Sequence, residues 1–430
     1  MCRSLDERHE HDIRCTSSRP GARTCRPTHK RGSPMTTRRT SYLLALAASG
    51  ALVLSGCGGG TLGGGSDDAA AEGPIKIGLL VPQSGVYKSL GDDMKAGFEV
   101  YLEQHDDKLG GAEVEVILAD EGETADSGKA AAEKLVKQDQ VTVVTGVVSS
   151  AVMNGVVDLF ETSKIPLVGS NASPTTLTDA TYIWRTSYVN DEPGEALGKY
   201  VAENVDGGVY FLAADYQAGK DEVEGFKKSF GPAGGETVDE VYTPFPDTSN
   251  FQPFLANAKS SGAEALFSFY AGGAAVEFVK QYDQFGLKGD VDHYSAGFLT
   301  EGGVLDAQGE AAEGTFTAMN YNYDLDNELN KAFVEDYEAK TGMKPTTYAM
   351  ASYDAAKVLD MAIEAAGGKA DPEAINTAIG EITEVESPRG TWTWSNIGTP
   401  VQMWYLREVQ EVDGTLRNVV VDELGELGSD

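Results

Sequence analysis

Short apolar runs alternate with helix-like segments along most of the chain, and this alternation constrains the fold more than any other feature. The first series contains the strand-like runs Ile75–Val81, Val114–Ala119 and Val141–Thr145, with helical segments between them. The first of these runs is typical of a strand buried on both faces of a parallel sheet. A second series of similar size begins at Val209. The pattern predicts an α/β fold with mostly parallel sheets, in two similar lobes with a cleft between them.

The final third of the chain departs from this alternation. Helices are predicted at residues 326–340, Tyr348–Ala366 and Pro372–Ile382, and strand-like runs follow at Val401–Val409 and Leu416–Val421. These helices cannot form a lobe by themselves, so we expect them to complete one of the two earlier lobes. The chain must then cross between the lobes more than once.

Charge and cysteine usage exclude several classes of function. The 430 residues include 34 Lys and Arg against 67 Asp and Glu, a formal net charge of -33. So acidic a chain does not favour nucleic acid, which needs basic patches. All four cysteines, Cys2, Cys15, Cys25 and Cys57, precede residue 58. The remainder can therefore hold neither a disulfide nor a cysteine-based metal site, and we expect no metal ion or cofactor.

The N-terminal segment has the features of a secretory signal. Residues 1–34 are interpreted as a mis-called start or an unusual leader, because Met35 is the more natural start. Residues 35–56 combine a charged beginning, an apolar stretch and small residues, as signal peptides do. The apolar stretch is shorter than the ~20 residues of a membrane-spanning helix. A small-residue pair directly precedes Cys57, and the Gly-rich residues 57–72 are typical of a flexible tether.

Two polar loops follow neighbouring strands of the first series. Gly146–Ser150 and Gly169–Pro174 are rich in Ser, Asn and Gly. In a parallel α/β sheet, ligands bind outside the carboxyl ends of the strands. Small hydroxyls and free N–H groups at a helix start suit an anion, although Ser149 and Ser150 could equally serve as a helix N-cap. These loops predict a small carboxylate site, and by themselves they leave binding and catalysis both open.

An enzyme is the main alternative class. Beyond the signal segment the chain has two histidines, of which His105 lies in a polar helix end and His293 lies beside Asp292. A Ser-His-Asp triad through His293 has the required residue types, but no GxSxG motif supports it. Adjacent acids such as Asp92 and Asp93 are more typical of surface charge than of an acid–base pair. We therefore expect binding without catalysis.

Several stretches occur together in a specific order. They are the small pair before Cys57, the opening IKIGLLVPQSGVYKSLGDDMKAGFEV, the loops GVVSS and GSNASPTTLT, the loop AADYQAGKDEVEGFKKSF and the late TYAMASYDAAKVL. With these stretches the chain resembles the leucine-binding-type solute-binding proteins of ABC transporters, the branched-chain amino-acid group of type I periplasmic binding proteins. The resemblance covers roughly residues 73–425. In that family a small pair before a cysteine is a lipobox.

The resemblance implies an architecture, a location and partners. Lobe one would comprise residues 73–188 plus 321–392, and lobe two residues 189–320 plus 393–430, closing over the ligand about a three-stranded hinge. Cys57 would carry a lipid that anchors the protein outside the cytoplasm on the bacterial cell membrane. The protein would be a monomer that captures a small carboxylate or amino acid and docks on ABC permease subunits.

The resemblance also implies which residues touch the ligand. Two loops of lobe one, Val148–Ser150 and Asn171–Ser173, would hold the ligand carboxylate, and Tyr87 would cover it. Lobe two would add an aromatic side chain at Tyr216 and contacts from two further loops. The predicted ligand-binding residues are Tyr87, Val148, Ser149, Ser150, Asn171, Ala172, Ser173, Tyr216, Tyr270, Ala271, Gly272, Gly297 and Phe298.

One departure from the family pattern bears on the ligand. Leucine-type binders usually carry an acid in the last lobe-two loop that pairs with the ligand ammonium, whereas here the nearest acid is Glu301. A buried ammonium without a carboxylate partner is costly. Either the ligand lacks an amino group, as an aromatic or aliphatic acid or an amide does, and packs on Phe298 and Tyr270, or Glu301 or Asp215 reaches the ammonium of an ordinary amino acid. A ligand-sensing receptor of the same fold, or a binder of amide or urea-type solutes, is the alternative function.

Overall fold

Two sheets organise residues 73–428, the part of the chain that the structure, a computed structural model, describes. The first sheet has the order β2-β3-β1-β4-β5-β6. All of its pairings are parallel except that of β2 with β3. Its strands are β1 (Ile75–Val81), β2 (Lys108–Leu109), β3 (Ala112–Asp120), β4 (Val143–Gly146), β5 (Leu167–Gly169) and β6 (Ile183–Arg185).

The second sheet has the order β12-β13-β11-β10-β9-β7-β8, with β14 paired to β13. Its strands β7 to β11 pair in parallel, and β13 is antiparallel to β11, β12 and β14. The strands are β7 (Val209–Ala214), β8 (Thr237–Thr243), β9 (Ala265–Phe269), β10 (Asp292–Ala296), β11 (Phe316–Met319), β12 (Thr393–Trp394), β13 (Pro400–Val412) and β14 (Thr415–Leu427).

Helices connect the strands and flank both sheets. They are α1 (Lys88–Gln104), α2 (Ala125–Lys134), α3 (Ser150–Ser163), α4 (Glu192–Asn204), α5 (Gln217–Phe230), α6 (Gln252–Ser260), α7 (Gly272–Gln284), α8 (Gly303–Gln308), α9 (Glu328–Thr341), α10 (Thr347–Ala365) and α11 (Pro372–Glu381). None of the helices within residues 73–428 has the length and apolar character needed to cross a membrane. The predicted α/β class with mostly parallel sheets is confirmed.

Local sequence explains where several helices begin. Thr124 caps α2 by accepting a hydrogen bond from the Ser127 N–H, and the Ser127 hydroxyl accepts one from the Thr124 N–H. Thr346 likewise accepts from the Ala349 N–H at the start of α10. Such caps satisfy N–H groups that a helix leaves without an internal partner.

The observed elements differ from the predicted ones mainly at their ends. Helix α10 spans Thr347–Ala365 where Tyr348–Ala366 was predicted, and β14 continues through Leu427, past the predicted end at Val421. The strand Phe316–Met319 had no counterpart in the prediction. That strand is only four residues long, and its place between β10 and β13 depends on long-range pairing that sequence periodicity does not carry.

The three C-terminal helices pack on the first sheet. Phe98 of α1, Met350 of α10 and Ile375 of α11 are fully buried in one cluster with Ile75 of β1. Helices α1 and α10 approach so closely at Gly97 that an added Cβ would lie 2.0 Å from the Ala349 carbonyl oxygen. The helices of residues 328–381 therefore complete the layer on the first sheet, while the lobe boundaries themselves stay a prediction.

The chain therefore passes three times between the two sheets. It leaves β6 for α4, leaves β11 for α9, and returns from α11 to β12 and β13. The carbonyl oxygen of Ser187 lies on the first passage and accepts hydrogen bonds from Asn320 on the second (3.0 Å) and Arg389 on the third (3.0 Å). One carbonyl group thus ties all three connecting segments together.

Arg389 holds this junction through a buried ion pair. Its guanidinium donates to Asp354 of α10 at 2.9 Å, and the two side chains are 1% and 0% exposed. It also donates to Gln402 at the start of β13 (2.6 Å) and to the Thr186 carbonyl oxygen (2.5 Å). With the Ser187 carbonyl oxygen these make four partners on three segments, so the junction depends on the guanidinium being present.

We expect Arg389→Ala to lower the free energy of unfolding by about 3–5 kcal/mol, because it leaves the Asp354 carboxylate buried without its ionic partner. Urea unfolding measures this change. The matched control is Lys164→Ala, which removes an exposed pair with Glu373 and should change stability by less than about 1 kcal/mol. Equal stability of the two variants would contradict this account of the junction.

Candidate functional site

A cavity lies where the carboxyl ends of strands from both sheets face each other. Its empty space, including the part that is open to solvent, is about 360 Å³. Most of the lining follows a strand end directly, as the parallel α/β rule for ligand sites predicts. The lining residues are Tyr87, Leu90, Val148, Ser150, Asn171, Ala172, Tyr188, Asn190, Tyr216, Ala218, Glu222, Phe269, Ala271, Phe298 and Tyr348.

The loop after β4 has a strained backbone. Gly146 has φ of 118° and the next residue, Val147, has φ of 67°, a conformation that β-branched residues rarely adopt. An added Cβ on Gly146 would lie 2.2 Å from the Leu80 carbonyl oxygen. Hydrogen bonds from the Val147 N–H to Leu80 (2.8 Å) and from the Ala172 N–H to Val147 (2.9 Å) hold the loop. Strain of this kind is concentrated at functional sites.

A buried carboxyl group occupies part of this loop. Glu121 is fully buried, and its two oxygens accept hydrogen bonds from the Val148 and Ser149 N–H groups, each at 2.7 Å. Burial raises the pKa of Glu121 to about 8. The structure thus corrects one expectation, because these two backbone donors serve a carboxyl group of the protein itself and are not free for a ligand.

Ser150 is the residue of this loop that faces the cavity. It is the first residue of α3, where the helix dipole favours negative charge. Its hydroxyl oxygen accepts a hydrogen bond from the Asn190 side-chain amide at 2.9 Å, so its own hydrogen can be donated into the cavity. Asn190 is itself held by the Ser173 N–H at 3.1 Å. The preceding Ser149 occupies the N-cap position without a side-chain cap hydrogen bond.

Aromatic rings form much of the remaining wall. Tyr216 stacks on Phe245 with ring centroids 4.4 Å apart and planes at 15°. Phe298 packs against Tyr188 at 5.2 Å. The Tyr348 hydroxyl is buried and has no hydrogen-bond partner among the described residues. No Lys, Arg or His belongs to the described lining. The cavity therefore offers flat apolar surfaces beside hydroxyl and amide groups, with no basic side chain among the described residues.

The two halves of the molecule touch each other over the cavity. The hydroxyl groups of Tyr87, before α1, and Tyr216, before α5, are 3.4 Å apart. On the other side, Gly272 at the start of α7 has φ of 56°, and an added Cβ would lie 2.4 Å from the Val86 carbonyl oxygen. The structure thus shows the cavity in a closed arrangement.

Eight of the thirteen predicted ligand-binding residues line this cavity: Tyr87, Val148, Ser150, Asn171, Ala172, Tyr216, Ala271 and Phe298. The structure does not bring the other five into the lining. These are Ser149, Ser173, Tyr270, Gly272 and Gly297.

Strand geometry explains why Tyr270 points elsewhere. Successive side chains along a strand point to opposite faces, so Phe269, the last residue of β9, lines the cavity and Tyr270 does not. Tyr270 packs against Phe251 and Phe278, with ring centroids 5.0 and 4.5 Å away, and shares a hydrogen bond with Thr243 at 3.2 Å. The predicted stacking wall is therefore supplied by Phe269 together with Phe298.

Neither acid that was considered as an ammonium partner belongs to the cavity lining. Glu301 pairs with Arg407 at 2.9 Å and accepts from the Thr347 N–H at 2.8 Å. Asp215 is exposed and pairs with Lys220 at 2.8 Å. Both carboxylates are engaged away from the site.

The acid that does line the cavity is Glu222, which sequence reasoning missed. It lies one helical turn after Ala218 on α5, so both residues share the face turned to the cavity. The loop that leads into α5 was recognised, but the face of the helix was not assigned. Tyr188 and Asn190 follow β6 and could have been found by the strand-end rule, whereas Tyr348 of α10 arrives only through tertiary packing.

The candidate catalytic histidine lies in the core of the second sheet. His293 is hydrogen-bonded to Ser268 of β9 at 2.8 Å and stacks on Tyr282 at 4.6 Å. Burial lowers its pKa to about 3. His293 does not line the cavity. Within residues 73–428 there is also no group of three or more His, Cys, Asp or Glu side chains that could hold a metal ion.

Comparison with known proteins identifies the family. A model described as periplasmic binding protein matches residues 74–415. The chain belongs to the periplasmic binding protein family. This membership places the protein outside the cytoplasm and makes it a ligand-binding protein, in agreement with the resemblance drawn from the sequence.

Relatives and solved structures in this family include proteins with named ligands. The Leu/Ile/Val-binding protein homolog 6 of Brucella melitensis is 31% identical over 370 residues, which cover 84% of this chain and 94% of that protein. A solute-binding protein of an ABC transporter from R. palustris, in complex with benzoate, is 32% identical with a TM-score of 0.78, covering 83% of this chain and 98% of that chain. Another from Rhodopseudomonas palustris BisB5, in complex with 3,4-dihydroxybenzoic acid, is 31% identical with a TM-score of 0.78, covering 82% and 98%. These relatives are solute-binding proteins and not enzymes.

Proposed function

We propose that the protein captures a small aromatic carboxylate between its two lobes and delivers it to an ABC permease, without chemical change to the ligand. The observation that carries this proposal is the lining of the cavity, which combines aromatic rings with a serine at a helix N-terminus and, among the described residues, includes no Lys, Arg or His. The similarity to solute-binding proteins in complex with benzoate and 3,4-dihydroxybenzoic acid supports it.

The lining defines an orientation for such a ligand. The carboxylate lies against Ser150, whose hydroxyl and helix N-terminus favour negative charge. The ring lies between Tyr216 and Phe298, since offset and edge-to-face contacts of aromatic rings stabilise beyond the area that they bury. The Tyr348 hydroxyl has no hydrogen-bond partner among the described residues. It would form the hydrogen bond to a hydroxyl substituent of the ligand ring.

A hydrophobic amino acid is the second candidate ligand. Glu222 lines the cavity and could pair, as a carboxylate, with a ligand ammonium. The relative from Brucella melitensis is also named as a Leu/Ile/Val-binding protein homolog. The two candidates differ in whether the ligand carries an amino group, so direct titration separates them.

Titration calorimetry of the protein without its leader, at pH 7, should show binding of benzoate and none of leucine. In Ser150→Ala the benzoate affinity should fall about 10- to 100-fold, because the lost hydrogen bond involves a charged ligand. The control is Ser163→Ala at the other end of α3, which should bind benzoate like the wild type. If leucine binds and benzoate does not, the ligand is an amino acid and the proposal of an aromatic acid is wrong.

Closure follows from contacts that the ligand makes with both lobes. A ligand shifts a conformational equilibrium only by its differential affinity for the two states. Ser150 and Tyr348 lie on elements of the first sheet, and Tyr216 and Phe298 lie on elements of the second. An aromatic acid that touches both sets stabilises the closed arrangement about the three connecting segments, by a hinge motion.

Gly272→Ala should prevent full closure, because its Cβ would meet the Val86 carbonyl oxygen at 2.4 Å. Small-angle scattering measures the radius of gyration with and without saturating benzoate. Benzoate should reduce the radius of gyration of the wild type but not that of this variant. Two controls separate the contact from other effects. A Cβ added at Gly273 or at Gly289 would meet no atom within 4 Å, and Gly289 has φ of 82°. The variants Gly273→Ala and Gly289→Ala should therefore both become more compact when benzoate binds. Compaction of Gly272→Ala equal to that of the controls would argue against this closure contact.

The proposal includes anchoring of the protein to the outer face of the cell membrane. The signal-like residues 35–56, the following Cys57 and the Gly-rich tether support lipidation at Cys57; all three lie outside the described residues. One lipidated cysteine and a Gly-rich tether would leave the lobes free to meet a permease as a monomer.

We expect the chain expressed from Met35 in a bacterial host to appear in the membrane fraction, and Cys57→Ser to appear in the soluble extracytoplasmic fraction or culture medium. Immunoblotting of cell fractions measures the distribution. Membrane retention of both forms to the same extent would rule out anchoring through Cys57.

A further inference from the structure

Among residues 73–428, the carboxyl group of Glu222 has one hydrogen-bond donor. It is 1% exposed and belongs to the cavity lining. One oxygen, Oε2, accepts from the Gly194 N–H at 3.1 Å, and Oε1 has no partner among the described residues. An ionised carboxylate that is buried from water needs several hydrogen-bond donors or a cation to offset its loss of hydration. Glu222 has neither.

The carboxyl group of the neighbouring Asp221 has many more hydrogen-bond donors. Its two oxygens accept four hydrogen bonds, from Thr175, Asn190 and Gln217, at distances between 2.7 and 3.4 Å. Two acids that are adjacent on α5 therefore have opposite environments, one rich in donors and one almost without them.

The ionisable groups that face Glu222 from its own helix and from the packed segment leading into α4 add no positive charge. They are Asp191, Glu192, Asp221 and Tyr188. The cation Lys228 is engaged with Glu195 at 2.6 Å and lies 3.8 Å from Asp191. Burial first, and then the charges of Asp191 and Asp221, raise the pKa of Glu222 well above its usual range.

We propose that Glu222 binds the ligand as a neutral carboxylic acid that donates its proton, in a hydrogen bond, to an oxygen atom of the aromatic acid. A protonated carboxyl group is one donor with an acceptor oxygen to spare. Its Oε2 keeps the bond from Gly194, and its hydroxyl turns to the cavity. A cavity without a cation can then hold an anion beside an acidic side chain.

This inference rests on the proposed function, and it gives the site a pH dependence. Below the pKa of Glu222 the group is neutral and donates to the ligand. As the pH rises through that pKa, the group becomes a second buried negative charge beside the ligand carboxylate, and affinity falls. An amino-acid ligand would behave in the opposite way, because its ammonium gains a partner when Glu222 ionises.

The experiment is a benzoate titration of the full mature chain at pH 7 and pH 10, with Glu222→Gln as the test variant. Between these pH values the dissociation constant of the wild type should rise at least about tenfold more than that of the variant, since a shift of one pKa unit corresponds to a factor of ten. The amide cannot ionise, so any rise that it retains belongs to other groups, among them Glu121. The control is Glu224→Gln, which changes an exposed acid (66% exposed) on the same helix and should follow the wild type.

A second measurement uses the unmodified protein, so it tests the assignment even if the Glu222→Gln variant misfolds. Calorimetry at pH 9 in two buffers of different protonation enthalpy should show that benzoate binding takes up protons. Equal pH profiles of wild type and Glu222→Gln, or binding without proton uptake, would overturn the assignment while leaving the aromatic-acid ligand in place. Failure of the wild type to bind benzoate at pH 7 would instead reject the proposed function, and this inference with it.

Discussion

The buried ion pair between Arg389 and Asp354 is the interaction on which the arrangement of the two sheets depends. The guanidinium joins α10 to the carbonyl groups of the first connecting segment and to the start of β13. A single short linker between two lobes would leave their relative position loosely defined. Three connecting segments meet at the Ser187 carbonyl oxygen and define that position more closely. The proposed closure of the cleft would be a rotation about these segments.

Electrostatics then decides what kind of cavity such an acidic protein can offer. With a formal net charge of -33, the chain repels a carboxylate at long range. Binding therefore has to come from short-range contacts, and the cavity supplies these as aromatic rings, Ser150 at a helix N-terminus and neutral hydroxyl groups. The protein has also placed two of its own carboxyl groups here. Glu121 occupies two backbone donors, and Glu222 has a single donor.

Much of the fold and of the candidate site could be predicted from the sequence, and the predictions that failed did so for physical reasons. The apolar run Ile75–Val81 predicted β1 with its observed ends, because it is a short buried run between clear breaks in the sequence. The strand-end rule located the loops after β4 and β5, and the resemblance added the loop after β7. The resemblance implied Tyr270, whereas Phe269 lines the cavity. A one-residue step along a strand reverses the face, and sequence shows the alternation without its phase. Glu222 was missed because the orientation of a helix about its axis is set by its neighbours, here α4.

The central claim is that an aromatic carboxylate occupies the cavity with its charge at the start of α3. A crystal structure of the protein grown with benzoate tests it most directly. The account predicts one benzoate with its carboxylate within hydrogen-bonding distance of the Ser150 hydroxyl and its ring between Tyr216 and Phe298, in a closed molecule. A benzoate bound elsewhere, or with its carboxylate turned away from Ser150, would contradict it.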